Sequence, residues 1–338
     1  MNKKLVVITD YDYPDVETER SILEGMGAQV QAYHYTDEAD VLKIVGKADA
    51  VINQYAPITR NVIEHLSERC VAVGQYGIGV DTIDVAAATE RGIVVVNVPS
   101  YCEDEVAEHA LALLLALARR LPFYDAEVRR GSWDWTTQAP IHRVRGRTLG
   151  LVGFGKIARA LAEKANGLAL EIVAFDPVVG EAEMSGVGVR KVSLEDLLGQ
   201  SDFISIHVPL VDATRHLISD PEFALMKRDV VLVNASRGAV VDQDALYRVL
   251  SERRILAAGL DVLYDEPPRG AHSGEALVKL DNVFLTPHVA WYSEESIVEL
   301  REKLARDIGA ILKGYRPHGF VNPNVKARVA LRQGGRSL

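Results

Sequence analysis

The sequence predicts an α/β protein built of two doubly wound parallel-sheet domains with a cleft between them. Three observations carry that prediction: short Val/Ile-rich runs alternate with helical patterns, a long helical segment divides the runs into two sets, and a glycine-rich turn links a strand to a helix at the start of the second set. A length of 338 residues allows about two domains of ~150 residues each. With 48% hydrophobic and 25% charged residues, the composition is ordinary enough for each to bury a core.

The first set of strand-like runs lies at residues 5–8, 50–53, 71–73 and 93–96. The second lies at 149–152, 172–175, 203–207, 230–234, 256–261 and 283–285. Between them run a helical segment, 103–131, and a loop, 132–147, that contains Trp133, Trp135 and Pro140. The apolar stretch at 110–118 is too short to span a bilayer, and its flanks Glu108, His109, Arg119 and Arg120 read as those of a buried amphipathic helix. Residues 1–100 are expected to form one domain and 101–290 the other. The last helix, 293–313, follows the completed second sheet and is expected to return to the first domain, giving 1–100 plus 291–326. From Lys326 on, Arg328, Arg332 and Arg336 accompany Gly334 and Gly335 without an apolar run, so 327–338 is expected to be a flexible tail.

The N-terminal residues Met1 to Lys4 precede only four apolar residues before Thr9 and Asp10, which reads as a first strand and not as a signal peptide. Cys70 and Cys102 lack metal-ligand spacing, so neither a metal site nor a disulfide framework is expected, and a reducing cytoplasmic location is. A net charge of -9 disfavours nucleic acid as a partner, because phosphate binding depends on Lys and Arg. No membrane partner is expected either.

After the run 149–152 comes Gly153-Phe-Gly-Lys-Ile-Ala158, a GxGxxA pattern between a strand and a helix. Gly153 permits the tight turn, Gly155 lets the backbone approach a pyrophosphate, and Ala158 allows close helix packing; the helix start supplies unpaired N–H groups. The next strand ends at Asp176, 21 residues beyond Gly155, where an acid would accept hydrogen bonds from ribose hydroxyls and repel a 2′-phosphate. Asp176 is followed by Pro177 and Val178, without a cation, so NAD(H) is the expected cofactor and 101–290 a Rossmann-like NAD-binding domain, with the other sheet Rossmann-like or flavodoxin-like.

Nicotinamide chemistry moves a hydride, and reduction of a carbonyl also needs a proton donor and a grip on the oxygen. Three strand-end signatures supply candidates: Arg237 in Val233-Asn-Ala-Ser-Arg-Gly238, Glu266 in Leu260-Asp-Val-Leu-Tyr-Asp-Glu-Pro267 and His288 in Thr286-Pro-His-Val-Ala290. Imidazole exchanges a proton in the physiological range, and a guanidinium can hold a carboxylate through its planar fork. Each alone is more often a hydrogen-bonded structural residue; their order behind a dinucleotide motif reverses that reading. The loop Gly74-Gln-Tyr-Gly-Ile-Gly79 is either an anion nest or a structural turn.

Together with His207-Val-Pro-Leu210 and Asp242, this ordered set resembles the NAD-dependent D-isomer-specific 2-hydroxyacid dehydrogenases over nearly the whole chain. Asp104-Glu-Val-Ala-Glu108 and Ala290-Trp-Tyr-Ser-Glu294 are similar to the branch of C-terminal-binding proteins and their bacterial relatives. The resemblance implies that Arg237, Glu266 and His288 are catalytic, with His288 as acid in reduction and base in oxidation. It implies dinucleotide contacts at Val106, Gly153, Gly155, Lys156, Ile157, Asp176, Pro177, His207, Val208, Pro209, Thr214, Ala235, Ser236, Asp261 and Ala290. The substrate would meet Tyr55, Gln75, Tyr76, Gly77, Ile78 and Trp291, the last as an apolar wall suited to a side chain such as that of 4-methylthio-2-oxobutyrate. Region 121–147 would form a homodimer contact. Gln75 replaces an Arg of the eukaryotic branch, removing one charged contact to the substrate carboxylate, roughly a tenfold effect on binding. The expected activity is interconversion of a 2-oxo acid and its D-2-hydroxy acid. The alternatives are an NAD(H)-sensing dimeric binding protein of corepressor type, or a dehydrogenase of the same fold for an unusual one-carbon or phosphorus-containing acid.

Overall fold

The computed structural model describes residues 3–268 and 273–333. They divide into two compact units, one formed by residues up to Tyr101 together with those from Ser293 onward, the other by Cys102–Tyr292.

The first unit runs β1 (Lys4–Ile8), α1 (Glu17–Gly25), β2 (Ala28–Ala32), α2 (Glu38–Val45), β3 (Ala50–Asn53), α3 (Arg60–His65), β4 (Ala72–Gln75), α4 (Val85–Glu90) and β5 (Val94–Val96). Its five strands pair in the order β2-β1-β3-β4-β5, all parallel. The central strands are buried on both faces, which is why they read as continuous Val/Ile runs. β2 has no such signature: the alternation Ala-Gln-Val-Gln-Ala buries Ala28 and Val30 and exposes its glutamines at the sheet edge. Asp37, Thr59 and Asp84 cap α2, α3 and α4 by accepting backbone N–H bonds at 2.9, 3.3 and 2.8 Å. A long last helix, numbered α13 below (Glu294–Leu312), packs on α1 and β4.

The second unit runs α5 (Glu103–Ala118), α6 (Leu121–Arg129), β6 (Thr148–Val152), α7 (Lys156–Asn166), β7 (Glu171–Phe175), α8 (Glu181–Ser185), β8 (Arg190–Lys191) and α9 (Leu194–Gln200). It continues with β9 (Phe203–Ile206), α10 (Asp220–Leu225), β10 (Val231–Asn234), α11 (Gln243–Ser251), β11 (Ala257–Leu260), α12 (Ser273–Val278) and β12 (Val283–Leu285). The seven strands are parallel in the order β12-β11-β10-β9-β6-β7-β8. Progress reverses between β6 and β9, so the loops leaving the strand ends diverge there and open the crevice in which such sheets hold ligands. The single helical segment expected over 103–131 is two helices. Arg120 adopts φ 57°, a left-handed conformation, and Pro122 in the first turn of α6 starts a new helix.

The expected flexible tail is corrected over its first part. Arg328 donates to the carbonyls of Arg91 at 2.6 Å, Ser67 at 3.0 Å and Cys70 at 3.1 Å, and Arg332 exchanges backbone bonds with Gly314 and Arg316. A guanidinium that donates to three backbone carbonyls ties the chain down. Residues 334–338 lie outside the described residues. Among the described residues, no helix is long and apolar enough to cross a membrane.

Candidate active site

The turn between β6 and α7 has the geometry a dinucleotide needs. Gly153 sits at φ +91°, and a Cβ there would come within 2.9 Å of the His207 carbonyl oxygen. Gly155 precedes α7, and a Cβ built on it meets no atom within 4 Å, so its backbone faces open space beside the helix start. Ala158 is fully buried. Lys156 lies 3.6 Å from Glu103, Ile157 is half-buried on the first turn of α7, and Val106 is buried on α5.

At the end of β7 the Asp176 carboxylate accepts from the N–H groups of Phe154 at 2.9 Å, Val178 at 2.8 Å and Val179 at 3.0 Å. Burial pushes its carboxyl up, but the N–H bonds from Val179, Phe154 and Val178, with nearby Lys191, hold it below the usual carboxylate range. An acid charged at neutral pH thus stands beside the glycine turn, and Pro177 after it is exposed.

His207, at the end of β9, bonds Ser205 Oγ through Nε2 at 2.8 Å, and burial pushes its pKa down to about 4. It is neutral at pH 7. The unfolded chain takes up this proton near 6.5 and the folded chain only near 4, so stability is lost as pH falls through that window. At pH 5 the loss works out at about 2 kcal/mol. Urea unfolding of wild type and His207→Asn at pH 7 and pH 5 measures it: the variant should lose less stability than wild type on acidification by about that amount, and equal losses would remove His207 as the cause. Val208 beyond it is buried and Pro209 exposed, while Thr214 folds back, its hydroxyl donating to the Pro209 carbonyl at 2.6 Å.

At the end of β10, Asn234 organises the turn that carries Arg237. Its Oδ1 accepts from Ser236 N at 3.0 Å and Ser236 Oγ at 2.8 Å, and its Nδ2 donates to the Arg237 carbonyl at 3.0 Å. Ala235 is half-buried, and the Arg237 guanidinium donates to the Ser236 carbonyl at 2.8 Å. Gly238 lets this turn lie against the next one: a Cβ there would sit 2.0 Å from the Leu263 carbonyl carbon and oxygen. Leu263 N in turn donates to Glu266 Oε1 at 2.9 Å.

Glu266 and His288 meet directly, with Glu266 Oε2 2.6 Å from His288 Nδ1. That contact leaves Nε2 as the ring atom available to exchange a proton with a ligand. His288 adopts φ 54°, a left-handed conformation rare for a non-glycine residue. Asp261 holds it there: its carbonyl accepts from His288 N at 2.8 Å, and its carboxylate accepts from Val289 N at 2.9 Å, Ala290 N at 2.9 Å and the Thr286 hydroxyl at 2.6 Å. The turn is completed by Trp291 Nε1, which donates to the His288 carbonyl at 3.0 Å. Among the described residues, no group of three or more His, Cys, Asp or Glu could hold a metal ion.

A glycine cradle, a charged acid at the ribose distance, and an Arg and a Glu–His pair follow in order on the ends of one parallel sheet. The family model for the D-isomer specific 2-hydroxyacid dehydrogenase NAD-binding domain matches residues 111–290, more than half of the chain. The chain belongs to this dehydrogenase family. A D-3-phosphoglycerate dehydrogenase from Methanocaldococcus jannaschii is 37% identical over 95% of this chain, which spans 60% of that enzyme's length. A glyoxylate reductase from Korarchaeum cryptofilum is 41% identical over 84% of this chain and 86% of its own. The crystal structure of a D-lactate dehydrogenase from Aquifex aeolicus, complexed with NAD and lactic acid, is similar at a TM-score of 0.84 and 29% identity, covering 91% of this chain and 96% of that one. NAD is the cofactor of the matched domain, and the Gly153–Asp176 arrangement fits it.

Of the residues expected to meet substrate, two are turned inward by the first unit of this family member. Gln75 is buried, its Nε2 donating to the carbonyls of Gln54 at 2.7 Å and Tyr76 at 3.3 Å while its Oε1 accepts from Asn53 at 3.0 Å and Thr82 at 2.7 Å. An amide used at both ends holds loops together and has no donor left for a substrate carboxylate. The Tyr76 hydroxyl donates to buried Glu19 at 2.9 Å, and Arg301 pairs with the same carboxylate at 2.8 and 2.9 Å. Tyr55 remains half exposed, its hydroxyl 2.8 Å from Asp12. Gly77 takes φ +136° with open space at its Cβ position, and Ile78 is exposed.

One residue of the second unit, His109, escaped the sequence reading. His109 Nε2 lies 2.8 Å from Thr286 Oγ1, which bonds Asp261. The available signal was position: on α5, Val106, Ala110, Leu113 and Leu117 form the buried stripe, and an imidazole three residues after Val106 falls on its edge.

Proposed function

We propose that this protein is an NAD(H)-dependent oxidoreductase that interconverts a small 2-oxo acid and its D-2-hydroxy acid. The observation that carries the reading is the 2.6 Å contact of His288 with Glu266, in which His288 sits on a strained turn after β12, two strands from the β10 end that carries Arg237. When bound, NAD(H) supplies or accepts the hydride. His288 delivers a proton from Nε2 to the substrate oxygen in reduction and removes it in oxidation, while Glu266 orients the ring through Nδ1 and stabilises its charged form. Arg237 holds a carboxylate oxygen and polarises the carbonyl. The N–H groups of Gly77, Ile78 and Gly79 form no hydrogen bond among the described residues, and this backbone, in place of the Gln75 amide, is our candidate for gripping the carboxylate. Asp176 selects NADH over NADPH by repelling a 2′-phosphate.

The finer placement beside the C-terminal-binding proteins rests on the Asp104–Glu108 and Ala290–Glu294 motifs, with Trp291 as an apolar wall. A homodimer is supported by α6, none of whose residues is buried, and by Trp133 and Trp135, which are 90% and 76% exposed. The test is NADH and NADPH oxidation with glyoxylate, pyruvate, hydroxypyruvate, 4-methylthio-2-oxobutyrate and phenylpyruvate. Turnover with NADH at least tenfold faster than with NADPH on one or more of these supports the reading. Tight NADH binding with silence across the panel would sink it in favour of a dinucleotide-sensing protein.

A further inference from the structure

The turn that carries His288 has no regular structure to support its left-handed backbone, and three of its consecutive N–H groups converge on one residue. Asp261 accepts the N–H groups of His288, Val289 and Ala290 through its carbonyl and both carboxylate oxygens. That buried carboxylate therefore fixes the backbone just after His288, while Glu266 orients its ring. Asp261 Oδ1 is itself bonded by the Thr286 hydroxyl at 2.6 Å, and Thr286 Oγ1 lies 2.8 Å from Nε2 of His109, a partly exposed residue of α5. A threonine hydroxyl has one proton, and here it is given to Asp261. The bond from His109 must then be donated by its own Nε2–H, which fixes the tautomer. That nitrogen also lies 3.6 Å from Asp261 Oδ1, so its N–H dipole adds to the field on the carboxylate.

We propose that His109 is a positioning residue for the reaction: through Thr286 and Asp261 it ties the packed helix α5 to the turn that presents His288 and Trp291. His109 stands outside the Glu266–His288 pair and acts on it only by holding Asp261, the anchor of a strained backbone that would otherwise relax. This inference rests on the proton-transfer role given to His288 above. The side chain of glutamine can place Nε2 near the position of imidazole Nε2, so His109→Gln retains the donor while His109→Leu removes it.

The experiment compares wild type, His109→Leu, His109→Gln and Thr286→Val by hydrogen exchange of the 286–292 amides, by kcat and KM for the best 2-oxo acid, and by NADH affinity. His109→Leu is expected to exchange the Val289 and Ala290 amides about tenfold faster and to lose about tenfold in kcat, with KM and NADH affinity within about threefold. His109→Gln should restore most of both losses. Thr286→Val should match His109→Leu, and the double variant should be no worse than either single one, because both break one chain of bonds. Exchange unchanged in His109→Leu would overturn the proposal whatever the turnover, and so would faster exchange with kcat intact or without rescue by glutamine. A wild type that turns over no 2-oxo acid would defeat the functional reading instead, leaving the exchange of His109→Leu and its rescue by His109→Gln to decide whether His109 holds the turn.

Discussion

Replacement of His288 by alanine is expected to lower kcat for reduction of the best 2-oxo acid by a hundredfold or more, with NADH affinity changed by less than about threefold. The reason is the division of labour among the strand ends. The glycine cradle and Asp176 belong to β6 and β7, whereas His288 follows β12 at the far side of the sheet. Removing the imidazole leaves the cradle intact and takes away the group to which we assign the proton, at an Nε2 not used by Glu266. Glu266→Gln tests the partner: an amide can still bond Nδ1 but cannot stabilise the imidazolium, so a smaller loss, about tenfold, is expected. Single-turnover rates and fluorescence titration with NADH separate chemistry from binding. Wild-type turnover in His288→Ala would take the residue out of the mechanism.

The second large effect is structural and falls between two of the active-site turns. Gly238→Ala should destabilise the protein by more than about 3 kcal/mol or prevent folding of the second unit, because the new Cβ would overlap backbone and not a side chain that could move aside. The clash is with the peptide that joins Leu263 to Tyr264, next to the Leu263 N–H that Glu266 accepts, so any surviving protein should also lose turnover as the Arg237 and Glu266 turns are forced apart. Gly155→Ala is the matched control: its Cβ enters open space, so stability should stay within about 1 kcal/mol of wild type while NADH affinity falls. Urea unfolding of both variants measures the contrast. A Gly238→Ala protein as stable as Gly155→Ala would show that the two turns do not need this close approach.

Much of this protein is legible in its sequence, and the legible parts share a cause. The buried strands β1, β3 to β7 and β9 to β11 announce themselves because both faces of a parallel sheet are covered, and runs such as Val94–Val96 must be apolar throughout. Gly153, Gly155 and Asp176 are readable because a dinucleotide imposes short-range backbone rules, and Arg237, Glu266 and His288 because their signatures keep a fixed order at strand ends. What escaped depends on partners distant in sequence. The edge strands β2 and β8 bury too little to show a pattern, and the break at Arg120 is a left-handed residue that no local preference demanded.

The chain alone therefore determined the fold class, the cofactor and the identity of the candidate reactive groups, since these follow from residue chemistry and local spacing. Only the tertiary structure decided which way a side chain faces. Gln75 and Tyr76 turn into the interior of the first unit because Gln54, Asn53, Thr82, Glu19 and Arg301 offer them buried partners. His109 reaches Thr286, 177 residues away, because α5 packs against the sheet beside β11. A polar group inside a protein must find a partner, and the sequence states the need without stating who will meet it.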